Sequence, residues 1–185
     1  MPSPLGHALA GITAGLAVAP SSPDRGSRLR SVLLFGAAGA AADLDLIAGA
    51  HSGPTHGIGA AIAAGLLVLA LRAVWTRGSV APEWRLAFAV SAAYASHSVL
   101  DWLGTDTSPP IGIMALWPFT DRYCESSLHV FSAISRRYWL MPEFLAGNLA
   151  AVARELVILL PPFALVWRWK ERRSSQLAAR RSPGS

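Results

Sequence analysis

Cysteine is nearly missing from this chain: Cys124 stands alone in 185 residues. A single cysteine excludes an intramolecular disulfide and any multi-cysteine zinc site. Cys124 itself reads as a small buried or interfacial side chain. Charge is scarce as well. Charged residues make up 15% of the chain, against a usual share of roughly 25%. Hydrophobic residues make up 52%, and mean hydropathy is +0.39. That balance favours a membrane protein over a soluble one. The net charge of +5 comes largely from the arginine-rich C-terminal stretch. Basic residues gather at the ends of apolar segments, as in the loops of membrane proteins, so no nucleic-acid partner is expected. No basic stretch precedes the apolar run 5–19, so no cleavable leader is expected. No internal repeat is evident.

No run clearly reaches about 18 uncharged apolar residues, so the spans must be argued together. Residues 4–20 read as a first helix, stopped near Pro20. Residues 21–30 read as a polar loop with Arg25, Arg28 and Arg30. A second helix is expected from about 31 into Asp43-Leu44-Asp45-Leu46. Gly53-Pro54 punctuates a turn over 50–57. Further helices are expected over about 57–75, 85–103 and 142–169, the last kinked at Pro161-Pro162. Residues 104–141 form the longest polar stretch. Residues 1–170 read as one membrane-embedded domain, and 171–185 as a basic, disordered tail. The 21–30 loop, the 72–85 loop and the stretch from Arg168 hold twelve of the sixteen Lys and Arg. Assigned to the cytoplasm, they imply an all-α polytopic bundle of about five transmembrane helices, N-terminus outside and C-terminus cytoplasmic.

That topology uses no information about histidine or aspartate, yet it gathers them. His7, Asp43, Asp45, His51, His56, His97 and Asp101 all fall at the outer ends of helices or in the outer turn. His97 and Asp101 are four apart and share a helix face. An isolated histidine is more often a structural residue than a ligand. Carboxylates against apolar helix are different, because an unpaired charge there costs several kcal/mol. Residues 43–57 offer no Lys or Arg to offset them. A divalent cation fits that gap, and a His/Asp shell without Cys suits Zn²⁺, with Mn²⁺ or Fe²⁺ as alternatives. One or two ions are within reach of this ligand set. A metal so held activates water for hydrolysis, and a spare carboxylate, Asp43 or Asp45, could act as general base. Arg122, Arg136 and Arg137 lie in the outer segment and could hold a phosphate, although a solvated face is the commoner role. Arg154-Glu155 falls inside the last helix, where a structural ion pair is the plain expectation. The seven tryptophans sit mostly near helix ends, as interfacial anchors do.

Four pieces of the chain resemble a known family. They are Gly6-His7; Asp43-Leu44-Asp45; His51-Ser52-Gly53-Pro54-Thr55-His56-Gly57; and His97-Ser98-Val99-Leu100-Asp101 with Trp117-Pro118-Phe119-Thr120-Asp121-Arg122. Their order and spacing resemble the YdjM-like family of inner-membrane metal-dependent hydrolases, described as LexA-binding. The resemblance runs from Gly6 to about Phe131. The family's turn reads His-Arg-Gly-x-Thr-His-Ser, so Ser52 and Gly57 are departures. The order His, Asp, His, then His-x-x-x-Asp is also similar to the zinc ligands of phospholipase C and single-strand nucleases. That second resemblance implies that Asp45, His56, His97 and Asp101 share one ion and that His7 and Asp101 serve another. It also implies phosphoester hydrolysis. The expected function is a membrane-bound metal-dependent hydrolase cleaving a small-molecule phosphoester or a phospholipid at the outer face. The alternatives are a non-enzymatic membrane metal-binding protein, a metal transporter, or a regulatory interaction module.

Overall fold

The computed structural model describes residues 1–22, 24–48, 52–75, 84–135 and 142–181. It is built of helices: α1 (Pro4–Val18), α2 (Arg25–Ala40), α3 (Ile58–Trp75), α4 (Trp84–Leu103) and α5 (Glu143–Arg181). Two 3-10 segments, Ala41–Ala48 and Pro54–His56, lie between α2 and α3. Among the described residues the only β-pairing is two isolated bridges, Gly104 with Phe131 and Ile113 with Cys124.

Glycine sets the centre of the bundle. A Cβ on Gly11 would meet the Phe35 carbonyl oxygen at 2.5 Å, and one on Gly39 would meet the His7 carbonyl oxygen at 2.5 Å. The backbones of α1 and α2 therefore touch, as small residues permit in apolar surroundings. α4 packs against both. Leu16, Phe35, Ala38, Ala89, Val90 and Ala93 fill the shared core.

The outer faces are apolar instead of charged. Ile62, Leu66, Leu67 and Val74 of α3, Leu33 of α2, and Leu149, Val157 and Leu165 of α5 are all exposed. A continuous exposed apolar surface of this kind marks an interaction with lipid or protein. Two helices, α3 and the Phe144–Arg180 stretch of α5, are long and apolar enough to cross a membrane. The 18 residues of α3 span about 27 Å. The other three fall short: α1 is only 15 residues long, α2 opens with three arginines, and α4 carries Arg85, His97 and Asp101. Trp75 and Trp84 are exposed at helix ends, where membrane anchors belong.

The helix ends depart from the sequence expectation at three places. α2 begins inside the expected 21–30 loop, because the Asp24 carboxylate accepts from the Ser27 N–H at 2.6 Å and caps it. The regular part of α2 stops at Ala40, and Asp43 and Asp45 ride on the tighter 3-10 segment instead. The expected disordered tail is helical through Arg181. Its first eleven residues hold no Gly or Pro and are mostly strong helix formers. This end of α5 also binds back on the bundle: the Lys170 ammonium, just before the tail, donates to the Ala19 carbonyl, and Ser174 Oγ donates to the Ser22 carbonyl at 2.9 Å. Pro161 and Pro162 lie inside α5 without ending it.

Arg154 and Glu155 do not pair with each other. Adjacent residues on a helix face different directions. The buried Glu155 carboxylate accepts from the Ser3 N–H at 2.7 Å and from the Ser3 hydroxyl, while Ser3 Oγ caps α1 at the Gly6 N–H. Arg154 donates to Ser132 Oγ and the His129 carbonyl, both at 3.2 Å. α5 thus grips the start of α1, one turn before His7.

Candidate metal centre

Four elements converge where α1 begins and α4 ends. His7 comes from α1, Asp43 and Asp45 from the first 3-10 segment, His56 from the second, and His97 and Asp101 from α4. His7, His56, His97 and Asp101 are each 1% exposed or less. Asp45 is buried beside them, and Asp43 is the more open member.

Asp101 is the hub. Its Oδ2 lies 3.1 Å from His97 Nε2 and 3.3 Å from His56 Nε2, and its Oδ1 lies 3.3 Å from His7 Nε2. The two Nε2 atoms of His56 and His97 are 3.1 Å apart. Asp43 Oδ1 is 3.8 Å from His97 Nε2, and the His7 and His97 rings stack with centroids 3.6 Å apart.

The surroundings settle where the ring protons sit. His97 Nδ1 is 2.7 Å from the Gly39 carbonyl. A carbonyl only accepts, so Nδ1 carries a proton, and in the neutral ring Nε2 presents its lone pair. The Thr55 hydroxyl donates to Asp45 Oδ2 at 2.8 Å, which leaves Thr55 Oγ1 to accept from His56 Nδ1 at 3.0 Å. His56 Nε2 is then a lone pair too. Burial first, and then the neighbouring His97, hold the His56 imidazole below its ordinary pKa, so it stays neutral at neutral pH.

Two nitrogen lone pairs and a carboxylate oxygen therefore face one another across 3.1–3.3 Å. With both rings neutral these donors repel, and either a proton shared with Asp101 or a metal ion between them relieves the contact. Bonds of roughly 2.0–2.1 Å to one ion place neighbouring donors about 3.0–3.4 Å apart, which matches these separations. Both His7 nitrogens, Asp45 Oδ1 and both Asp101 oxygens are buried with no hydrogen-bond partner among the described residues. An uncompensated buried polar atom costs roughly 1–3 kcal/mol, more when charged. The cluster contributes three carboxylates and three imidazoles and no basic side chain of its own. His7, His97 and Asp101 form one group able to hold an ion, and Asp43, His56 and His97 form another.

A cleft of about 620 Å³ adjoins the cluster. Asp43 and Leu46 line it on one side, with Asp106, Ser108, Ile134 and Ser135 on the other. Asp43 belongs to both the cleft wall and the cluster.

His7, Asp43, His56, His97 and Asp101 thus come together in the two groups, while Asp45 lies 3.3 Å from His56 Nδ1, on the other side of that ring. His51, Arg136 and Arg137 lie outside the described residues. Arg122 is exposed and is not among the residues lining the cleft. Sequence reasoning missed Gly39, whose carbonyl orients His97, and Thr55, which joins Asp45 to His56. It also missed Tyr94, whose hydroxyl donates to the Thr55 carbonyl at 2.9 Å. Gly39 had a faint signal in the small residues that end α2. The Trp117-Pro118 motif is structural: a Cβ on Gly57 would meet Trp117 Cβ at 2.8 Å, and one on Gly59 would meet Pro118 Cδ at 2.7 Å. It clamps the start of α3 and the turn bearing His56.

No curated protein and no solved structure matches the chain. Residues 1–174 match the family model described as YdjM inner membrane protein, and the chain belongs to that family.

Proposed function

We propose that this chain is a membrane-embedded metal-dependent hydrolase of phosphoesters, with phospholipid headgroups as the favoured substrates. The observation that carries the reading is the triangle of lone-pair donors on His56, His97 and Asp101, next to a cleft that Asp43 reaches. His56, His97 and Asp101 would hold one ion, and His7 with Asp101 a second, while Asp45 faces the Nδ1 side of His56. A divalent ion there, zinc by its donor set with manganese or iron as alternatives, supplies Lewis acidity and lowers the pKa of water beside it. Asp43 then takes the proton of the attacking water as general base, and Asp45, braced by Thr55, orients His56. By sequence, Arg136 and Arg137 follow Ser135 of the cleft wall and are the candidates for the phosphate.

Lipid is favoured over a soluble ester by the apolar rim at this end of the bundle. Leu44, Ile47, Phe119 and Leu128 are all exposed there on non-α segments. Wild-type protein in detergent should carry one or two divalent ions and cleave a chromogenic phosphodiester or phospholipid vesicles. Asp43→Asn should keep the ion at His7, His97 and Asp101 and lose roughly 10²–10⁴-fold in turnover, the scale of a general base. Metal-free wild-type protein, folded and inactive, would sink the reading. The near-complete burial of His7, His97 and Asp101 supports a second reading, a structural metal without hydrolysis. That reading predicts bound metal and no turnover.

We also propose five crossings, with the cluster on the outer side. Arg25 and Arg28 of α2 and Arg85 of α4 lie at the helix ends opposite it, as the positive-inside bias requires. In a Cys124→Ala background, an impermeant thiol reagent on intact cells should label Ser108→Cys and spare Ser175→Cys until lysis. The reverse pattern would invert the topology.

A further inference from the structure

The end of the bundle opposite the metal cluster holds a cavity of about 340 Å³ between α1, α4 and α5, within the range of roughly 300–1,000 Å³ typical of small-molecule sites. Its wall combines three cations with three aromatic rings: Arg85, Lys170 and Arg173 beside Trp84, Phe88 and Trp169. No acidic side chain is among the described residues that line it. Glu171, which lies between Lys170 and Arg173 in sequence, pairs with Arg28 at 3.6 Å. Arg85 and Arg173 are exposed, and neither has a carboxylate partner among the described residues.

This wall calls for an anion. Lys170 Nζ lies 4.5 Å and Arg173 Cζ 4.6 Å from the centre of the one Trp169 ring, so like charges that repel are held together. Arg85 sits over Trp84 in the same manner, at 5.4 Å. Stacking fixes both guanidinium groups, whose planar forks of N–H donors suit a phosphate. The buried Lys170 ammonium, which donates to the Ala19 carbonyl, adds its charge to the same wall.

The depth of the cavity names the kind of anion. Arg85 and Asp101 stand near opposite ends of α4, roughly 24 Å apart along its axis. The cavity therefore lies near one boundary of a hydrocarbon core about 30 Å thick, at the level of lipid headgroups. Trp84 and Trp169 are exposed there, as interfacial tryptophans are. Phe88, also exposed, stands one turn from Trp84 toward the middle of α4. Cations at the headgroup level with an apolar ring beneath them match a lipid phosphate.

We propose that this cavity seats the headgroup of an anionic membrane phospholipid, in the leaflet opposite the metal cluster, with Arg85 and Arg173 on its phosphate. Basic pockets between membrane helices bind such headgroups. A zwitterionic headgroup would bring its own cation to a wall of three, so the site discriminates by net charge. Each basic residue beside an anionic lipid adds roughly fivefold in affinity. The site stands independently of the hydrolase reading.

The test titrates full-length protein in mild detergent with phosphatidylglycerol and with phosphatidylcholine of the same acyl chains, counting bound lipid by native mass spectrometry. Equal chains cancel the hydrocarbon contact, so the difference reports the headgroup. Wild type should bind phosphatidylglycerol at least about tenfold more tightly. Arg85→Gln with Arg173→Gln should lower that affinity about 25-fold and keep the metal content. Arg168→Gln with Arg172→Gln removes the same charge from exposed positions on α5 outside the cavity lining. That pair should change the affinity by less than about threefold, because charge without contact is screened. A phospholipid held at the metal cluster keeps its affinity in both pairs, so the two sites are told apart. Equal affinity of wild type for the two lipids, or equal losses in the two variant pairs, overturns the proposal. So does displacement of phosphatidylglycerol by an equal concentration of inorganic phosphate, which would assign the cavity to a soluble anion. Metal-free wild type that keeps the headgroup preference would count against the hydrolase reading alone.

Discussion

Asp101→Ala should strip the protein of its metal. Asp101 is the one side chain within 3.3 Å of all three imidazoles, so its loss removes the carboxylate of the His7, His97 and Asp101 group and the carboxylate nearest His56. Loss of a partner that only orients a ligand typically costs 10–100-fold in metal affinity. Loss of the shared carboxylate should cost at least about 100-fold on that scale. Asp101→Asn keeps the shape but not the charge and should fall between the two. Elemental analysis on detergent-purified protein reads the effect directly. Thermal unfolding gives an independent reading, because an ion at a hundredfold excess over its Kd stabilises the folded state by about 2.7 kcal/mol. Wild type should show that gain on adding zinc, and Asp101→Ala should not. Equal metal content in the two would remove Asp101 from the ligand set, and the hub geometry would then need another explanation.

Gly39→Ala should be nearly as damaging, although Gly39 carries no donor side chain. An added Cβ would meet the His7 carbonyl oxygen at 2.5 Å and Gly11 Cα at 2.8 Å. Both are backbone atoms, so no rotamer change relieves the contact and the two helices must part. Overpacking of this kind typically costs 1–3 kcal/mol. The same residue's carbonyl holds His97 Nδ1 at 2.7 Å. Displacing α2 therefore moves the anchor of His97 and the backbone of His7 together, and metal affinity should fall about 10–100-fold. Gly147→Ala is the control. Nothing lies within 4 Å of a Cβ there, and on α5 the change should stabilise by roughly 0.5–1 kcal/mol through helix propensity. The same substitution should thus act with opposite signs at two helical glycines. If Gly39→Ala keeps full metal affinity, close α1–α2 contact is not what positions the site.

Much of the site was legible before any coordinates. His97 and Asp101 are four apart, and helix geometry alone puts them on one face. Three carboxylates in apolar surroundings demand a counter-charge, and the absence of Lys and Arg over 43–57 points to a metal. The positive-inside bias placed the candidate ligands at one end, and the helices do bring His7, Asp43, His56, His97 and Asp101 together. Hydrophobic content was less informative about helix ends. It missed the Asp24 cap, so α2 was expected to start late. It also read the basic tail as disordered, although arginine, glutamine and alanine are good helix formers once a preceding helix has been nucleated.

What the sequence determined by itself was the class of donor, the spacing within α4 and the segregation of basic residues from the His/Asp set. These are properties of composition and local geometry, and they survive without knowledge of packing. Only the tertiary structure decided that Gly39 orients His97, that Thr55 locks the His56 tautomer, and that Glu155 turns away from Arg154 to hold Ser3. Each of those contacts joins residues on different elements or depends on the direction in which a side chain leaves its helix. Such contacts exist only once the helices have packed, and no periodicity along the chain encodes them.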